Sequence, residues 1–176
     1  MIEKEATFAR QLAAREAIRD CLYLYARGID RCDAELLREV FWPEATIETG
    51  GGPRTVEQFV TGSVQALQSM WERVQHIVSN VLIRFSEDGA AASVEAIGYG
   101  YHCSAGDRRD LIISGRYVDR FERRDGDWRI ARRTVVTDWF RHYPDSGDWS
   151  ASPWVNGALR SSSGLADPSY QLFKEI

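Results

Sequence analysis

The hydrophobic pattern of this chain changes its period near the middle, and that change limits the folds it can adopt. Up to residue 71, apolar residues recur every three to four positions, as on one face of a helix. From residue 75 onward they fall in strand-length runs, and the Asp-Gly pairs at 88–89 and 125–126 are strong signals for β-hairpins. Helices followed by an antiparallel meander indicate an α+β domain whose sheet is wrapped by the helices.

Three helices are predicted in the first half, with "EATIE" as a short strand between the second and the third. An apolar stripe over residues 8–29 marks the first helix. Asp33 is suited to cap a short second helix, which Pro43 ends. Thr55 and Gln58 form a capping box at the start of the third helix. The second half holds four predicted strands, at 75–85, 91–103, 111–123 and 128–140.

We expect one main domain over residues 1–143, followed by a tail over 144–176. The tail is rich in Ser, Gly, Asp and Pro but also carries many large apolar side chains. These are too numerous for a free linker, so the tail should fold over the body of the protein or over a neighbouring subunit. They include Trp149, Trp154, Leu159, Tyr170, Leu172 and Phe173.

Composition excludes several classes of function. A net charge of −4 and a pI near 5.4 predict no attraction to nucleic acid or to anionic lipid. No run of about 18 apolar residues is present, so no membrane span is expected. The three cysteines have no metal-ligand or disulfide spacing, which favours reduced thiols in a cytoplasm. The turn "GGGP" lacks the pattern of a phosphate-binding loop.

Strand register follows by arithmetic if each hairpin has a two-residue loop. The first hairpin then pairs His76 with Tyr101, and a middle loop at 106–107 pairs Tyr101 with Ile112. The last hairpin fixes the face that carries Arg133. These registers place His76 and Arg133 on the same side of the sheet.

The two predicted faces differ in chemistry. The face of His76 mixes polar and aromatic groups, which suits a lined cavity. It also holds Asn80, Tyr99, Tyr101, Ser114, Arg116, Arg133, Thr137 and Trp139. The opposite face is apolar and flattened by glycines, so it should bury against another subunit and make a homo-oligomer. It holds Ile77, Val81, Ile83, Gly98, Gly100, Ile113, Gly115, Tyr117, Phe121 and Val136.

Four segments carry a resemblance to a known family: "YARGIDRCD", "FWPEATIE", "QHIVSN" and "DGDWRIARRTVVTDWF". Over roughly residues 8–142 the chain resembles the SnoaL-like branch of the nuclear transport factor two superfamily. Within it, the chain looks most like the group of scytalone dehydratase, hexachlorocyclohexane dehydrochlorinase and bile-acid dehydratase. The resemblance implies an α+β cone, a trimer, and a site at the cone's mouth formed by Asp30 and His76, with Tyr25 and Arg133 beside them.

The chemistry of these residue types fits an elimination. His76 would be the base, because histidine titrates near neutral pH. Asp30 would fix the imidazole tautomer and stabilise the imidazolium. Tyr25 would donate a proton to a leaving hydroxyl or polarise a carbonyl, and Arg133 would hold developing negative charge or a substrate anion. The reaction needs no metal and no organic cofactor. The predicted pocket wall consists of Trp42, Val78, Asn80, Tyr99, Tyr101, Ser114 and Thr137.

Each candidate also has a structural interpretation. His76 could be a packed strand histidine, Asp30 a helix cap, Tyr25 a core residue and Arg133 a partner in a cross-strand ion pair. The sequence does not separate these possibilities from the catalytic ones.

The sequence therefore predicts a small cofactor-free lyase acting on a hydrophobic cyclic compound. Dehydration is favoured over dehydrohalogenation, because the dehydrochlorinase has lysine where this chain has Tyr25. The scytalone enzyme's second sheet histidine has no clear counterpart, since His102 and His142 are interpreted as structural or solvent-facing. Two alternatives stay open. One is isomerisation or cyclisation in the same cone, and the other is a non-catalytic ligand-binding subunit or one like the small subunit of a ring-hydroxylating dioxygenase.

Overall fold

The computed structural model describes residues 2–104, 109–144, 147 and 155–174, with backbone alone for residues 2–4, 6 and 172–174. The elements are α1 (Ile2–Arg31), α2 (Ala34–Glu39), β1 (Phe41–Glu48), β2 (Pro53–Thr55), α3 (Val56–Met70), β3 (Trp71–Phe85), β4 (Ala91–Ser104), β5 (Asp110–Arg124), β6 (Asp127–Tyr143), a 3-10 turn (Gly164–Ala166) and α4 (Ser169–Lys174). In the described part of the chain, none of the helices has both the length and the apolar character of a membrane span.

The strands form one curved, open sheet in the order β2-β1-β6-β5-β4-β3. All neighbouring pairs are antiparallel except β1 and β6, which run parallel. Helices α1, α2 and α3 cover one side of the sheet, which we call the inner face; the other side is the outer face. The predicted α+β cone is therefore confirmed.

Helix α1 buries its C-terminal half against the inner face. Ile18 and Leu22 are fully buried, and Ile29 is nearly so. In the N-terminal part of the predicted apolar stripe, Phe8 and Leu12 are exposed to solvent. The first helix therefore extends beyond the sheet that its second half covers.

The first hairpin departs from the predicted register at a β-bulge. Next to the turn, the strands pair as predicted, but Asn80 adopts a left-handed backbone conformation (φ 51°) where the register shifts. Beyond that point His76 lies opposite Gly100, and the predicted partner Tyr101 lies opposite Gln75. One extra residue in β3 explains the shift.

The last hairpin behaves in the same way. Asp125 and Gly126 both have positive φ, as a two-residue hairpin turn requires. Farther from the turn a second irregularity moves the register by one, so Arg133 lies opposite Asp119 and not opposite Val118. The inserted residue decides which side chain Arg133 meets.

The middle hairpin follows the prediction. Tyr101 lies opposite Ile112, although the predicted loop at Gly106-Asp107 lies outside the described residues. Register arithmetic thus holds where the strands run without a bulge.

The bulges reverse the predicted faces of the central strands. Because side chains alternate along a strand, a shift of one residue exchanges the side that faces the helices. Most members of the predicted apolar outer set in fact face inward, including Gly98, Gly100, Ile113, Gly115 and Tyr117, whereas Ile77 is exposed on the outer face as predicted. The prediction of a cavity lined by the other set was wrong for Tyr99, Tyr101, Ser114, Arg116 and Trp139, which lie on the outer face.

The described part of the tail packs on the C-terminal end of α1. Buried Asp167 forms an ion pair with Arg31 (3.3 Å), and the Tyr170 hydroxyl donates to Asp33. The Tyr170 ring also stacks on the Arg27 guanidinium at 4.5 Å. Trp149 and Trp154 lie outside the described residues, as do the side chains of Leu172 and Phe173. These contacts hold the segment against its own chain.

A fully buried ion pair crosses strands β5 and β6. Arg133 donates from Nε and Nη2 to the two oxygens of Asp119, at 2.9 and 2.6 Å. Burial lowers the pKa of Arg133, but the Asp119 carboxylate outweighs this and holds that pKa above its ordinary value. The guanidinium also lies against the rings of Tyr25 (3.9 Å) and Tyr117 (4.3 Å). The core of the cone is therefore organised around a charge.

We expect Asp119→Asn to lower the free energy of unfolding by about 3–5 kcal/mol, because it leaves the Arg133 charge buried without its partner. Asp138→Asn is the matched control, since Asp138 pairs with Arg116 at the surface and should contribute less than about 1 kcal/mol. Urea denaturation measures both. Equal losses in the two variants would contradict a structural role for the buried pair.

Candidate active site

The end of α1 presents Asp30 to the sheet. The helix stops at Cys32, whose left-handed backbone (φ 52°) lets the Asp33 amide donate to the Gly28 carbonyl at 2.9 Å. Asp33 then caps α2 by accepting from the Leu36 amide, as the sequence predicted. The capping role thus belongs to Asp33, and Asp30 projects toward β3.

Asp30 holds His76 at two points. Its Oδ2 accepts from the backbone amide of His76 at 3.0 Å, and its Oδ1 lies 2.7 Å from His76 Nδ1. Strand β3 is an edge of the sheet, so this amide has no strand on its open side to bond with. The carboxylate takes that place and fixes the imidazole at the same time. Both side chains are largely buried.

The contact determines which nitrogen of His76 faces the cavity. A carboxylate only accepts hydrogen bonds, so the proton belongs on Nδ1 and the lone pair on Nε2. Nε2 lies above Gly100, where an added Cβ would come within 3.0 Å of it. The absence of a side chain at Gly100 therefore keeps the free nitrogen accessible.

A cavity of about 340 Å³ lies between α1, α3 and the inner face of the sheet. This volume is at the lower end of the range for small-molecule sites. Its wall is mostly apolar, with few polar side chains. The lining includes Tyr25, Ile29, Phe59, Leu67, Trp71, His76, His102, Ile113, Tyr117, Val135 and Thr137.

Tyr25 lines this cavity from α1. Its ring is almost fully buried, stacks near Phe59 and meets the edge of Tyr117. Burial raises the pKa of the Tyr25 phenol, and Arg133 acts in the opposite direction. The phenol is therefore protonated at neutral pH and is suited to donate a hydrogen bond.

Arg133 does not line the cavity. It is fully buried behind the rings of Tyr25 and Tyr117 and is bound to Asp119. The predicted direct contact between Arg133 and a substrate anion was therefore wrong. The structural interpretation of Arg133 as a partner in a cross-strand ion pair agrees with its contacts. The rings of Tyr25 and Tyr117 lie between its positive charge and the cavity.

His102 is a cavity residue that the sequence interpretation missed. It is buried, lines the cavity and meets the His76 ring edge-on, with the ring centroids 5.1 Å apart. Burial, with the neighbouring His76, lowers the pKa of His102 to about 4. His102 is thus neutral at neutral pH, beside the proposed base.

Most of the remaining predicted pocket residues lie elsewhere. Trp42 donates to the Glu122 carbonyl and does not line the cavity, and Asn80 is exposed at the bulge. Val78 packs against the core and does not reach the cavity. Thr137 does line the cavity. The site thus combines His76, Tyr25 and Thr137 and leaves out Trp42, Val78 and Asn80.

A sequence signal for the missed residues exists in "GYGYH". Its first, third and fifth positions are Gly98, Gly100 and His102, which share one face of β4 by strand alternation. Two glycines facing inward leave room for larger groups above them. Tyr117 occupies such room, since a Cβ on Gly98 would lie 2.7 Å from its Cζ.

Within the described residues, no group of three or more His, Cys, Asp or Glu side chains is arranged to hold a metal ion.

Comparison with known proteins places this chain in a family. The SnoaL-like domain family matches residues 10–134. Hexachlorocyclohexane dehydrochlorinase 1 of Sphingobium indicum is 27% identical over 156 residues, covering 87% of this chain and 97% of the relative. The gamma-hexachlorocyclohexane dehydrochlorinase of the same species is 26% identical over 133 residues, covering 74% and 84%.

A solved structure from Novosphingobium aromaticivorans, provisionally named a scytalone dehydratase, shares the fold. Its TM-score is 0.69 at 20% identity, covering 89% of this chain and 95% of that one. The relatives found by sequence are thus dehydrochlorinases, which are lyases. The similarity to the solved structure shows the fold alone.

We expect His102 to make the folded protein less stable in acid. Below pH 6.5 the unfolded chain protonates this residue, whereas the folded protein does so near pH 4. The free energy of unfolding is therefore not reduced by His102 above pH 6.5. It falls as the pH drops from 6.5 toward 4, by up to about 3 kcal/mol.

Urea denaturation at several pH values tests this expectation. His102→Gln should flatten the loss of stability between pH 6.5 and 4, and His142→Gln, at an exposed position, should leave it unchanged. An unaltered slope in His102→Gln would refute the assignment.

Proposed function

We propose that this chain, which belongs to the SnoaL-like domain family, is a cofactor-independent lyase. In this proposal it removes a proton and a β-leaving group from a small, cyclic, hydrophobic compound. The observation that carries the proposal is the two-point contact between Asp30 and His76, which directs the free nitrogen of His76 into the cavity.

The base in this mechanism is His76 Nε2. It takes a proton from a substrate carbon, and the positive charge that forms on the imidazole is stabilised by the Asp30 carboxylate. The contact with the His76 backbone amide keeps the carboxylate in place. The reaction thus begins on a preorganised pair, and little reorganisation is needed during the proton transfer.

The cavity supports a compact hydrophobic substrate. A volume of about 340 Å³ with a mostly apolar wall favours one or two fused rings over a chain or a charged metabolite. The aromatic rings of Tyr25, Phe59, Trp71 and Tyr117 give flat surfaces for such rings. The relatives named for hexachlorocyclohexane also act on a cyclic compound.

Dehydration is the elimination that these side chains favour. A leaving hydroxyl needs a proton, whereas chloride departs as a weak base without one. Tyr25 is a protonated phenol in the cavity wall, and His102 adds a neutral imidazole beside His76. This second histidine supports the scytalone-type dehydration over loss of hydrogen chloride.

Two other functions use the same fold. An isomerase or cyclase would use the same base without losing a leaving group, and product mass separates it from a dehydratase. A binding protein or a dioxygenase small subunit would have no use for an aspartate fixed on a cavity histidine. The Asp30–His76 contact therefore favours an enzyme.

We expect His76→Ala and Asp30→Asn each to reduce turnover by about a hundredfold or more, because both remove part of the general base. Cyclic β-hydroxyketones are the test substrates, with loss of water followed by mass spectrometry. His142→Ala and Asp20→Asn, at exposed positions, are the matched controls and should retain wild-type turnover. Full turnover in His76→Ala would refute the proposal, and products of unchanged mass would indicate an isomerase.

The outer face supports a proposal about assembly. Ile77, Leu82, Val118 and Trp139 are exposed there, next to the rings of Tyr99 and Tyr101. Exposed apolar side chains on one sheet face of a single chain favour burial of that face against further copies. We propose a homo-oligomer, and the family resemblance suggests a trimer.

We expect the mass of the wild-type protein in solution to be at least twice the chain mass of 20.0 kDa, measured by light scattering after gel filtration. Val118→Glu should shift the population to single chains, because it places a charge in the buried interface. Leu12→Glu, on exposed α1, should leave the mass unchanged. A monomeric wild type would refute the assembly.

A further inference from the structure

The outer face of the sheet carries a line of arginines that the proposed mechanism does not use. Strand register places Arg84 opposite Ser93, Ser93 opposite Arg120, and Arg120 opposite Arg132. These four exposed residues thus lie side by side across β3, β4, β5 and β6, and we call them the arginine row. Its positive charge is local, because the chain as a whole has a net charge of −4.

The arginine row borders a depression of about 250 Å³ on the outer face. The adjacent line of residues across the same strands completes the depression with the apolar side chains of Leu82 and Val118 and the hydroxyl of Thr134. The catalytic cavity lies on the inner face. The sheet therefore separates the depression from the cavity.

The carboxylates of the chain do not balance the charge of the row. Arg120 donates to Glu122 at 2.8 Å, but the same carboxylate accepts from Arg124 at 2.7 Å. The side chains of Arg84 and Arg132 form no hydrogen bond and no ion pair with the residues that the structure describes. The three guanidinium groups of the row therefore share one carboxylate with a fourth arginine.

The acidic residues at the depression are bound to other cations. Among the described residues, Glu95 and Asp119 line it. Glu95 lies 3.4 Å from Arg116, and both oxygens of Asp119 accept from the buried Arg133. The depression thus keeps an excess of positive charge.

Arg120 and Arg132 repel each other. Side chains directly opposite on neighbouring strands have Cβ atoms about 4.5–5.5 Å apart, and like charges at such positions destabilise a sheet. An anion between the two guanidinium groups would attract both. Arginine also presents its N–H donors in a planar fork that fits two oxygens of a carboxylate or a phosphate.

The number of donors favours a phosphate group over a carboxylate. A carboxylate offers two oxygens, whereas a phosphate group offers at least three and carries a charge of about −1.5 to −2 at neutral pH. Two opposed forks can bind this group from both sides, and Arg84 with the hydroxyls of Ser93 and Thr134 lines the same depression. A doubly charged anion also neutralises more of the row.

We propose that the arginine row binds a phosphate group on the outer face, held between Arg120 and Arg132 with Arg84 beside it. The group belongs either to inorganic phosphate or to a small organic phosphate, whose apolar part would pack on Leu82 and Val118. One chain supplies all of these side chains, so the site requires neither the proposed assembly nor the proposed elimination.

Isothermal titration calorimetry with sodium phosphate, at neutral pH and constant ionic strength, measures binding to the wild type and to two variants. Arg132→Gln should weaken binding about tenfold, the effect of one hydrogen bond to a charged group. Arg141→Gln is the matched control, since Arg141 is exposed on the outer face at the other end of β6. It loses the same charge and should bind phosphate as the wild type does.

Two outcomes of the titration would overturn the proposal. One is the absence of saturable binding to the wild type. The other is an equal loss in Arg132→Gln and Arg141→Gln, because binding would then follow overall charge and not a site.

Phenyl phosphate, titrated in the same way, separates the two sources of the phosphate group. Tighter binding than that of inorganic phosphate assigns the site to an organic phosphate. Leu82→Ala should then weaken the binding of phenyl phosphate and leave that of inorganic phosphate unchanged, since Leu82 contacts only the ring. Equal affinity for the two probes assigns the site to the free ion.

Thermal unfolding provides a second measurement. In low salt without phosphate, Arg132→Gln should unfold at a higher temperature than the wild type, because it removes the charge opposite Arg120. Added phosphate should raise the Tm of the wild type and of Arg141→Gln by more than that of Arg132→Gln. An equal rise in all three proteins would reflect a general effect of the anion and would overturn the site.

Discussion

The buried pair of Arg133 and Asp119 is the interaction on which the interior of this protein depends. Two charges without solvent exposure need close geometry, and here both oxygens of Asp119 accept from Nε and Nη2 of Arg133. The pair fixes the relative positions of β5 and β6, and its guanidinium supports the rings of Tyr25 and Tyr117. These rings form one wall of the cavity. A structural requirement of the core thus also determines the electrostatics of the site.

The second constraint is the meeting of a helix end with a sheet edge. Asp30 comes from the last turn of α1, and His76 lies on the edge strand β3. An edge amide needs a partner, and the Asp30 carboxylate provides it while it orients the imidazole. The tail adds contacts on the same helix end, through Asp167 and Tyr170. The proposed base, His76, is therefore held by backbone and side-chain bonds together.

The arrangement also explains how a common fold admits different eliminations. In the proposed mechanism, the general base depends on the Asp30–His76 contact, whereas the leaving group and the activating group depend on the side chains around the cavity. Phenols and a neutral imidazole suit oxygen chemistry, and the inner glycines of β4 give them room. The sequence relatives named for hexachlorocyclohexane share the family, and differences in the cavity wall would decide the substrate.

The sequence by itself determined the element order, the fold class, the caps at Asp33 and Thr55, and the candidate pair of Asp30 and His76, because these follow from local pattern and from family resemblance. It did not determine which side chains face the cavity. A bulge adds one residue without an unambiguous sequence signal, and one residue is enough to exchange the faces of a strand. Only the tertiary structure therefore brought His102 and Tyr117 into the cavity and moved Tyr99 and the other outer residues away. Its packing also placed Arg133 behind two aromatic rings, since burial and ion pairing depend on contacts between strands that local sequence does not encode.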